Sequence, residues 1–385
     1  MIHIASVIGA RPQIIKAAAI SRAIKNKFSD KIRETIVHTG QHYDDNMSQV
    51  FIDELGIPKP DLNLDVRSAS HGVQTARMIE GIESFLLDNP PDMLILYGDT
   101  NSTLAGAVAA SKQHIPVAHV EAGLRSFNKS MPEEINRILC DHCSTLLFSP
   151  TKTGYSNLLR EGFKPDNEPP YSIDKPGIFH CGDVMYDNSL YFSEIAEEKS
   201  DILNKLELEK EKYILATIHR DNNTDDPKRL SAIFTAMHKI AENNDLRIVI
   251  PLHPRTANLL EENLRKGLFQ KIENSGNIHI IQPVSFLDMI KLEKNTMMVM
   301  TDSGGVQKEA YFFEKPCIIL RSETEWKEIV ENKTAIVADA NEKNILEAYR
   351  HFIKQEGMIY PSIFGDGTAA EFICEEILKT AKQKK

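Results

Sequence analysis

The sequence predicts an α/β protein built of two doubly wound, Rossmann-like domains that face each other across a cleft. Three observations carry this. Short runs rich in Ile, Val and Leu alternate with longer helical patterns along nearly the whole chain, the mark of βαβ units and parallel sheets. The alternation starts afresh after residues 183–187, which gives two similar halves. The length of 385 residues, with 42% hydrophobic content, suits two cored domains better than one.

Taken in order, the expected strands of the first half are 3–8, 34–38, 93–97, 116–120, 146–148 and 177–180, with helical patterns between most of them. A polar, proline-rich stretch without period, 166–176, reads as a surface loop. A charged helix over about 188–212 follows, then strands at 213–218, 247–252, 278–282, 297–300, 317–320 and 335–337. The domains are placed at 1–183 and 184–367, and the amphipathic stretch 368–385 is expected to cross back over the first half.

A net charge of −10 argues against nucleic acid or an anionic membrane as a main partner. The N-terminus has no basic region before a long apolar core, and charged or polar residues interrupt the later apolar runs, so a soluble cytoplasmic protein is expected. Five cysteines in such a chain do not suggest a disulfide framework. Cys140-Asp141-His142-Cys143 lacks a second pair at zinc-like spacing and reads as one face of a helix, so no metal site is expected.

In doubly wound domains ligands bind at the carboxyl ends of the strands. The stretch Thr301-Asp302-Ser303-Gly304-Gly305 joins a strand to a helix through two glycines. Free N–H groups of a first helical turn suit a diphosphate, and Glu309, within two turns, could reach a hydroxyl of whatever the phosphate carries. The same stretch also serves as an ordinary tight connection. The first strand ends in Gly9-Ala10-Arg11-Pro12-Gln13, which puts Arg11 and Lys16 beside a helix start. Other strands end in Gly98-Asp99-Thr100 and His119-Val120-Glu121, and Pro132-Glu133-Glu134 opens a helix. Acids in a first helical turn are ordinary dipole complements, and an Asp after a strand is often a cap. His119 and His253, with apolar neighbours, read as structural; His219, followed by a polar loop, is the stronger functional candidate. What favours the set is that three carboxylates and several bases fall at the same kind of strand end.

No Gly-x-Gly-x-x-Gly fingerprint follows a strand, and no Gly-x(4)-Gly-Lys-Ser/Thr loop or serine nucleophile elbow is present. A diphosphate cradle facing carboxylates matches a nucleotide sugar. Gly9-x-Arg11-Pro12 with Lys16, Gly98-Asp99-Thr100, His119-Val120-Glu121-Ala122-Gly123-Leu124-Arg125, Pro132-Glu133-Glu134-x-Asn136-Arg137, His219-Arg220, Thr301-Asp302-Ser303-Gly304-Gly305-x-Gln307-x-Glu309, Lys315-Pro316 and Gly365-Asp366-Gly367 together resemble the non-hydrolysing UDP-N-acetylglucosamine 2-epimerase family, in order and from end to end. The resemblance implies a glycosyltransferase-B-like fold, usually a homodimer, and interconversion of UDP-N-acetylglucosamine and UDP-N-acetylmannosamine for surface polysaccharide. It implies elimination of UDP to a 2-acetamidoglucal and re-addition, a route that needs neither NAD nor a metal.

Carried over by position, Asp99, Glu121 and Glu133 would be the acid/base carboxylates, and His219 would assist the diphosphate, with Arg11 and Lys16 in support. Ser303, Gly304 and Gly305 would hold phosphate, Glu309 the ribose, Phe286 the uracil side and Arg321 the sugar or phosphate side. The family's activating second UDP-N-acetylglucosamine would sit near Gln41, Arg67 and His253. Three departures stand out. Gln13 replaces the usual Glu and so loses a charge expected near the cleft, Asp221 replaces a second arginine after His219-Arg220, and Arg321-Ser322-Glu323-Thr324-Glu325-Trp326-Lys327-Glu328 replaces Arg-x-Thr-Thr-Glu-Arg-Pro-Glu. These look more like the branch acting on UDP-2,3-diacetamido-2,3-dideoxyglucuronate. The rivals are a glycosyltransferase of the same build, a hydrolysing relative and a non-catalytic UDP-sugar sensor; three carboxylates favour the epimerase.

Overall fold

The computed structural model describes residues 1–40, 59–67, 69–252 and 254–382, with only the backbone of 254, 255, 258, 266 and 382. Two compact units make up the chain: Met1–Leu190 together with Ser362–Lys385, and Tyr191–Pro361. Each is a parallel sheet with helices packed against it.

In the first unit the strands are β1 Ile2–Ile8, β2 Ile32–His38, β3 Leu62–Asn63, β4 Met93–Tyr97, β5 Val117–Val120, β6 Leu146–Ser149 and β7 Gly177–His180, in the order β3-β2-β1-β4-β5-β6-β7. In the second they are β8 Tyr213–Thr217, β9 Arg247–Pro251, β10 Ile278–Ile281, β11 Met298–Thr301, β12 Cys317–Ile319 and β13 Ala335–Val337, in the order β10-β9-β8-β11-β12-β13. Central strands of such sheets are covered on both faces, so they read as continuous apolar runs. All five residues of β4 and all five of β8 are buried. Side-chain caps start many of the helices: Thr100, Thr151, Asp226, Ser285, Ser303 and Asn341 each accept a backbone N–H of the first turn.

In both sheets chain order reverses at the first strand, between β1 and β4 and between β8 and β11. Neighbouring connections leave to opposite faces there and open a crevice at the carboxyl ends, where ligands of doubly wound sheets bind. The switch points therefore bring together the segments after β1 and β4, and those after β8 and β11.

The fold differs from the expected plan in three places. β3 was not anticipated: it is two exposed residues paired with Val37 and His38 at the sheet edge, too short to show a period. The charged helix is Val184–Lys199, with a separate turn at Ile202–Lys205. The break falls where the Ser200 hydroxyl bonds Asp288 Oδ1 at 2.5 Å. The unit boundaries lie at Leu190 and Ser362, not at 183 and 368. Asp183 N–H donates to the Phe364 carbonyl, and Asp187 accepts from the N–H groups of Ala369 and Ala370, which ties 362–368 and the start of helix Val184–Lys199 into the first unit. The last helix, Ala369–Lys382, packs on helix Arg11–Ala23. Among the described residues no helix is long and apolar enough to cross a membrane.

Candidate active site

At the switch point of the first unit, the turn after β4 places Gly98 and Asp99 beside Glu121, which follows β5. Gly98 has φ +62°, and a Cβ there would lie 3.1 Å from both Glu121 Oε2 and Lys16 Nζ. Glycine takes this backbone without strain and leaves the pair uncrowded. Glu121 itself has φ +80°, rare for a side-chain-bearing residue. The strain is held by its N–H and that of Ala122, which both donate to the Phe148 carbonyl. The carboxylate accepts from Lys16 Nζ in a pair that is largely buried. Arg11 is exposed on the first turn of the same helix as Lys16.

Asp99 Oδ2 accepts from Arg137 Nη1 at 2.5 Å, and its main-chain carbonyl accepts from Asn136 Nδ2 at 2.9 Å. Burial lifts the Asp99 carboxyl above the usual carboxylate range. Arg137 and Lys16 draw it down, Glu121 and Glu133 push it up, and the balance leaves it raised. Glu133 is exposed on the first turn of helix Pro132–His142. The three carboxylates named from the sequence thus share one rim. Glu134 does not join them. It is buried, accepts the N–H groups of Ser126 and Phe127 at 2.9 Å each, and pairs with Arg137.

Below this rim lies a buried chain of polar groups. His119 Nδ1 meets Asp141 Oδ1 at 2.6 Å, and its Nε2 meets the Gly98 carbonyl at 2.8 Å. Asp141 also takes Arg125 Nη2 at 2.6 Å and the Gly123 N–H at 3.1 Å. A carbonyl can only accept, and a carboxylate already serving an arginine and an amide accepts as well, so both ring nitrogens of His119 donate. Burial opposes its charge, but Cys140 and Asp141 hold its pKa well above the ordinary value. His119 is therefore an imidazolium fastener under the Gly98 turn.

Gln13, which stands where the usual motif has Glu, is a second fastener. Its side chain is buried: Oε1 accepts from Gly9 and Ala10 N–H at 2.9 and 3.1 Å, and Nε2 donates to the Tyr97 carbonyl at 2.9 Å and Thr103 Oγ1 at 3.0 Å. It ties the turn after β1 to the end of β4.

In the second unit Asp302 occupies the switch point, wholly buried. It accepts from the N–H groups of His219 at 3.0 Å and Arg220 at 3.1 Å and from Asn223 Nδ2 at 2.9 Å. These bonds lock the end of β8 to the end of β11 and leave the His219 side chain exposed. Ser303 caps helix Gly304–Phe312. A Cβ at Gly304 would fall 2.2 Å from Glu325 Oε1, whereas Gly305 is open. Glu325 also accepts from Arg321 Nη1 at 3.0 Å, and Thr324 donates to Gln307, so loop 321–326 lies against the start of this helix. Lys308 Nζ sits 4.3 Å over the Trp326 ring. Glu309 is half-buried on the same helix. Phe286 is buried edge-on against Phe192, ring centres 5.3 Å apart.

Among the expected activator positions, Gln41 and His253 lie outside the described residues. The Arg67 side chain is 85% exposed, with Asp65 at 3.4 Å. The supporting residues Arg137, Asp302 and Asn223 were not assigned roles from the sequence. Arg137 carries a legible signal, since it lies one turn beyond Glu133 and Glu134 on a helix; a buried Asp beside a glycine turn does not announce its partners.

Two Rossmann-type sheets, one with a carboxylate cluster at its switch point and the other with a glycine-rich helix start, define an α/β enzyme architecture of the glycosyltransferase-B type. Comparison with known proteins narrows this. Residues 24–378 match the UDP-N-acetylglucosamine 2-epimerase family. A UDP-N-acetylglucosamine 2-epimerase homolog of Methanococcus maripaludis is 47% identical over 97% of this chain and 98% of its own. The UDP-2,3-diacetamido-2,3-dideoxy-D-glucuronate 2-epimerase of Pseudomonas aeruginosa is 45% identical over 98% and 99%. Among solved structures, the UDP-GlcNAc 2-epimerase of Methanocaldococcus jannaschii, in complex with UDP-GlcNAc and UDP, aligns with TM-score 0.83 at 40% identity, covering 98% of this chain and 99% of that one. The chain belongs to the UDP-N-acetylglucosamine 2-epimerase family of isomerases.

Proposed function

We propose that this protein interconverts the C2 epimers of a UDP-2-acetamido sugar, UDP-N-acetylglucosamine and UDP-N-acetylmannosamine in the first instance, by eliminating UDP to the 2-acetamidoglucal and adding it back. The observation that carries the reading is the carboxylate rim: Asp99 raised and paired with Arg137, Glu121 paired with Lys16, and Glu133 close enough to act on Asp99. The hydrogen on C2 has no adjacent carbonyl, so direct abstraction is too costly. Elimination makes its loss concerted with departure of a good leaving group. A carboxyl that holds its proton and an ionised one beside an ammonium are suited to the two directions of proton transfer at C2, each worth roughly 10²–10⁴-fold. The UDP falls to the second unit, with N–H groups of helix Gly304–Phe312, the Ser303 hydroxyl, His219 and Arg321 on the diphosphate, Glu309 on the ribose and Phe286 on the uracil side. We place the enzyme in the cytoplasm, as a homodimer supplying precursor for surface polysaccharide.

A second substrate, UDP-2,3-diacetamido-2,3-dideoxyglucuronate, is favoured by the 45% identity to the enzyme named for it and by Trp326-Lys327 in place of the Arg-Pro of the usual motif. The test gives the purified protein each sugar nucleotide separately and follows the anomeric protons by NMR. A gluco/manno mixture of UDP-sugars in one tube is expected and identifies the substrate. Free N-acetylmannosamine with UDP would assign hydrolysis instead, and no conversion of either sugar would overturn the reading.

A further inference from the structure

Glu134 follows Glu133 on helix Pro132–His142 but is 1% exposed. Its Oε1 accepts the Phe127 N–H at 2.9 Å. Its Oε2 accepts the Ser126 N–H at 2.9 Å, the Ser126 hydroxyl at 3.1 Å, and Arg137 Nε and Nη2 at 3.2 and 3.0 Å. Burial opposes its charge, but the Ser126 N–H and Arg137 hold the carboxyl below the usual range, so Glu134 is ionised. Phe127 has φ +58°, a left-handed backbone rare for an aromatic residue, and its bond to Glu134 helps to hold it there. One buried carboxylate thus fastens the Ser126-Phe127 turn and one edge of the Arg137 guanidinium.

Arg137 is 9% exposed and spans two carboxyls. With Nε and Nη2 on Glu134, the planar group is fixed and Nη1 is aimed at Asp99 Oδ2, 2.5 Å away. A guanidinium only donates, so Oδ2 is held as an acceptor. Asn136, the preceding residue, fixes the Asp99 main chain by donating to its carbonyl at 2.9 Å. Among the described residues Asp99 Oδ1 accepts no hydrogen bond, and the Asp99 side chain is 34% exposed. The two oxygens of this carboxyl are therefore unlike: one is bound to the protein and the other is open.

We propose that Glu134 and Arg137 are positioning residues for Asp99: Glu134 orients the guanidinium, the guanidinium claims Oδ2, and Oδ1 is left as the oxygen that exchanges a proton with C2. The proposal rests on the role given to Asp99 above and deepens it. In one direction Oδ1 takes the C2 proton, the C2–H electron pair becomes the C1–C2 double bond, and UDP leaves with the C1–O pair. In the other, Oδ1 returns a proton to C2 as UDP adds at C1. The charged groups that face Asp99 are Arg137 and Glu133 from helix Pro132–His142, Lys16 from helix Arg11–Ala23, and Glu121 after β5. Burial raises the Asp99 carboxyl, and Arg137 is the stronger of the two cations that draw it down.

The test follows steady-state epimerisation by the full chain over about pH 5–9, with whichever UDP-sugar the wild type converts. Arg137→Met is expected to lower kcat about 10²-fold with KM within about 3-fold, because Asp99 is misplaced and not because substrate binding is lost. The limb of the pH profile that belongs to Asp99 should move to higher pH by about one unit, since a cation that favoured its ionised form is gone. Arg137→Lys keeps the charge but cannot hold both carboxyls with one planar group. It should recover about 10-fold of the lost rate and keep the limb near its wild-type position. Glu134→Gln has one acceptor oxygen fewer and should lower kcat about 10-fold, again with KM within about 3-fold. Wild-type kcat in Arg137→Met, or a rate loss there without movement of the limb, would overturn the proposal. Where Arg137→Met does not fold, Arg137→Lys decides: a kcat about 10-fold below the wild type supports the proposal, and an unchanged kcat overturns it. A wild type that converts neither sugar would instead remove the reaction on which the proposal stands.

Discussion

Glu121 joins three features that seldom occur together: a left-handed backbone, a buried lysine partner and a place at the switch point of a sheet. Backbone strain of this kind costs on the order of 1–3 kcal/mol and persists where the surroundings over-determine it. Glu121→Gln keeps the shape and removes one of the three carboxylates proposed to move the C2 proton; it is expected to cut the turnover rate by roughly 10²–10⁴-fold, measured as epimer formation by NMR. Asp99 adds a pH signature. Its carboxyl is raised, so the folded chain holds that proton more tightly than the unfolded chain. Its contribution is then full below the ordinary value of about 3.9 and falls as pH climbs through the folded value. Asp99→Asn removes that loss. Its melting temperature should exceed the wild type's at neutral pH and converge with it at about pH 4, while activity falls by a similar 10²–10⁴-fold. At this scale the sequence was informative about residue type and place, because strand ends next to glycine are recognisable. It was poor on partners. That Gln13 is a buried four-bond fastener could not be read there, since pairing across 84 residues to Tyr97 leaves no local pattern.

The element that carries Glu121 is fixed from beneath. Gly123 has φ +80°, and a Cβ there would lie 2.2 Å from the Gly154 carbonyl oxygen, which is backbone and cannot step aside. Gly123→Ala is expected to destabilise the first unit by on the order of 3 kcal/mol, read from denaturant midpoints. His119 holds the neighbouring turn through its charge. Its folded pKa is raised, so the stability it supplies is full below the ordinary value of about 6.5 and is lost as pH rises through the folded value. His119→Gln should cost roughly 3 kcal/mol at pH 6, with the gap to the wild type shrinking toward alkaline pH. A constant gap would mean that the histidine is neutral and merely fills space. Strands and helices were legible here because buried parallel strands are apolar runs and capped helices are periodic. The exposed pair Leu62–Asn63 was not, since two edge residues have neither property.

The molecule as a whole repeats one plan, a parallel sheet whose order reverses at its first strand, and the two copies are equipped differently. The first carries carboxylates with basic partners, and the second a glycine turn at a helix start backed by the buried Asp302. The alternation of apolar runs made both sheets readable from the sequence. The boundaries at Leu190 and Ser362 were not, because they depend on hydrogen bonds such as Asp187 to Ala370 that join distant parts of the chain. In the proposed reaction the first unit's carboxylates exchange the C2 proton while UDP leaves and returns. It is tested most directly by incubating the protein in D2O with each of the two UDP-sugars and following the C2 and anomeric protons by NMR. Deuterium is expected at C2 of the gluco and manno forms of one sugar, accumulating as the two interconvert. Inversion at C2 without solvent deuterium, or UDP binding with no exchange into either sugar, would contradict it.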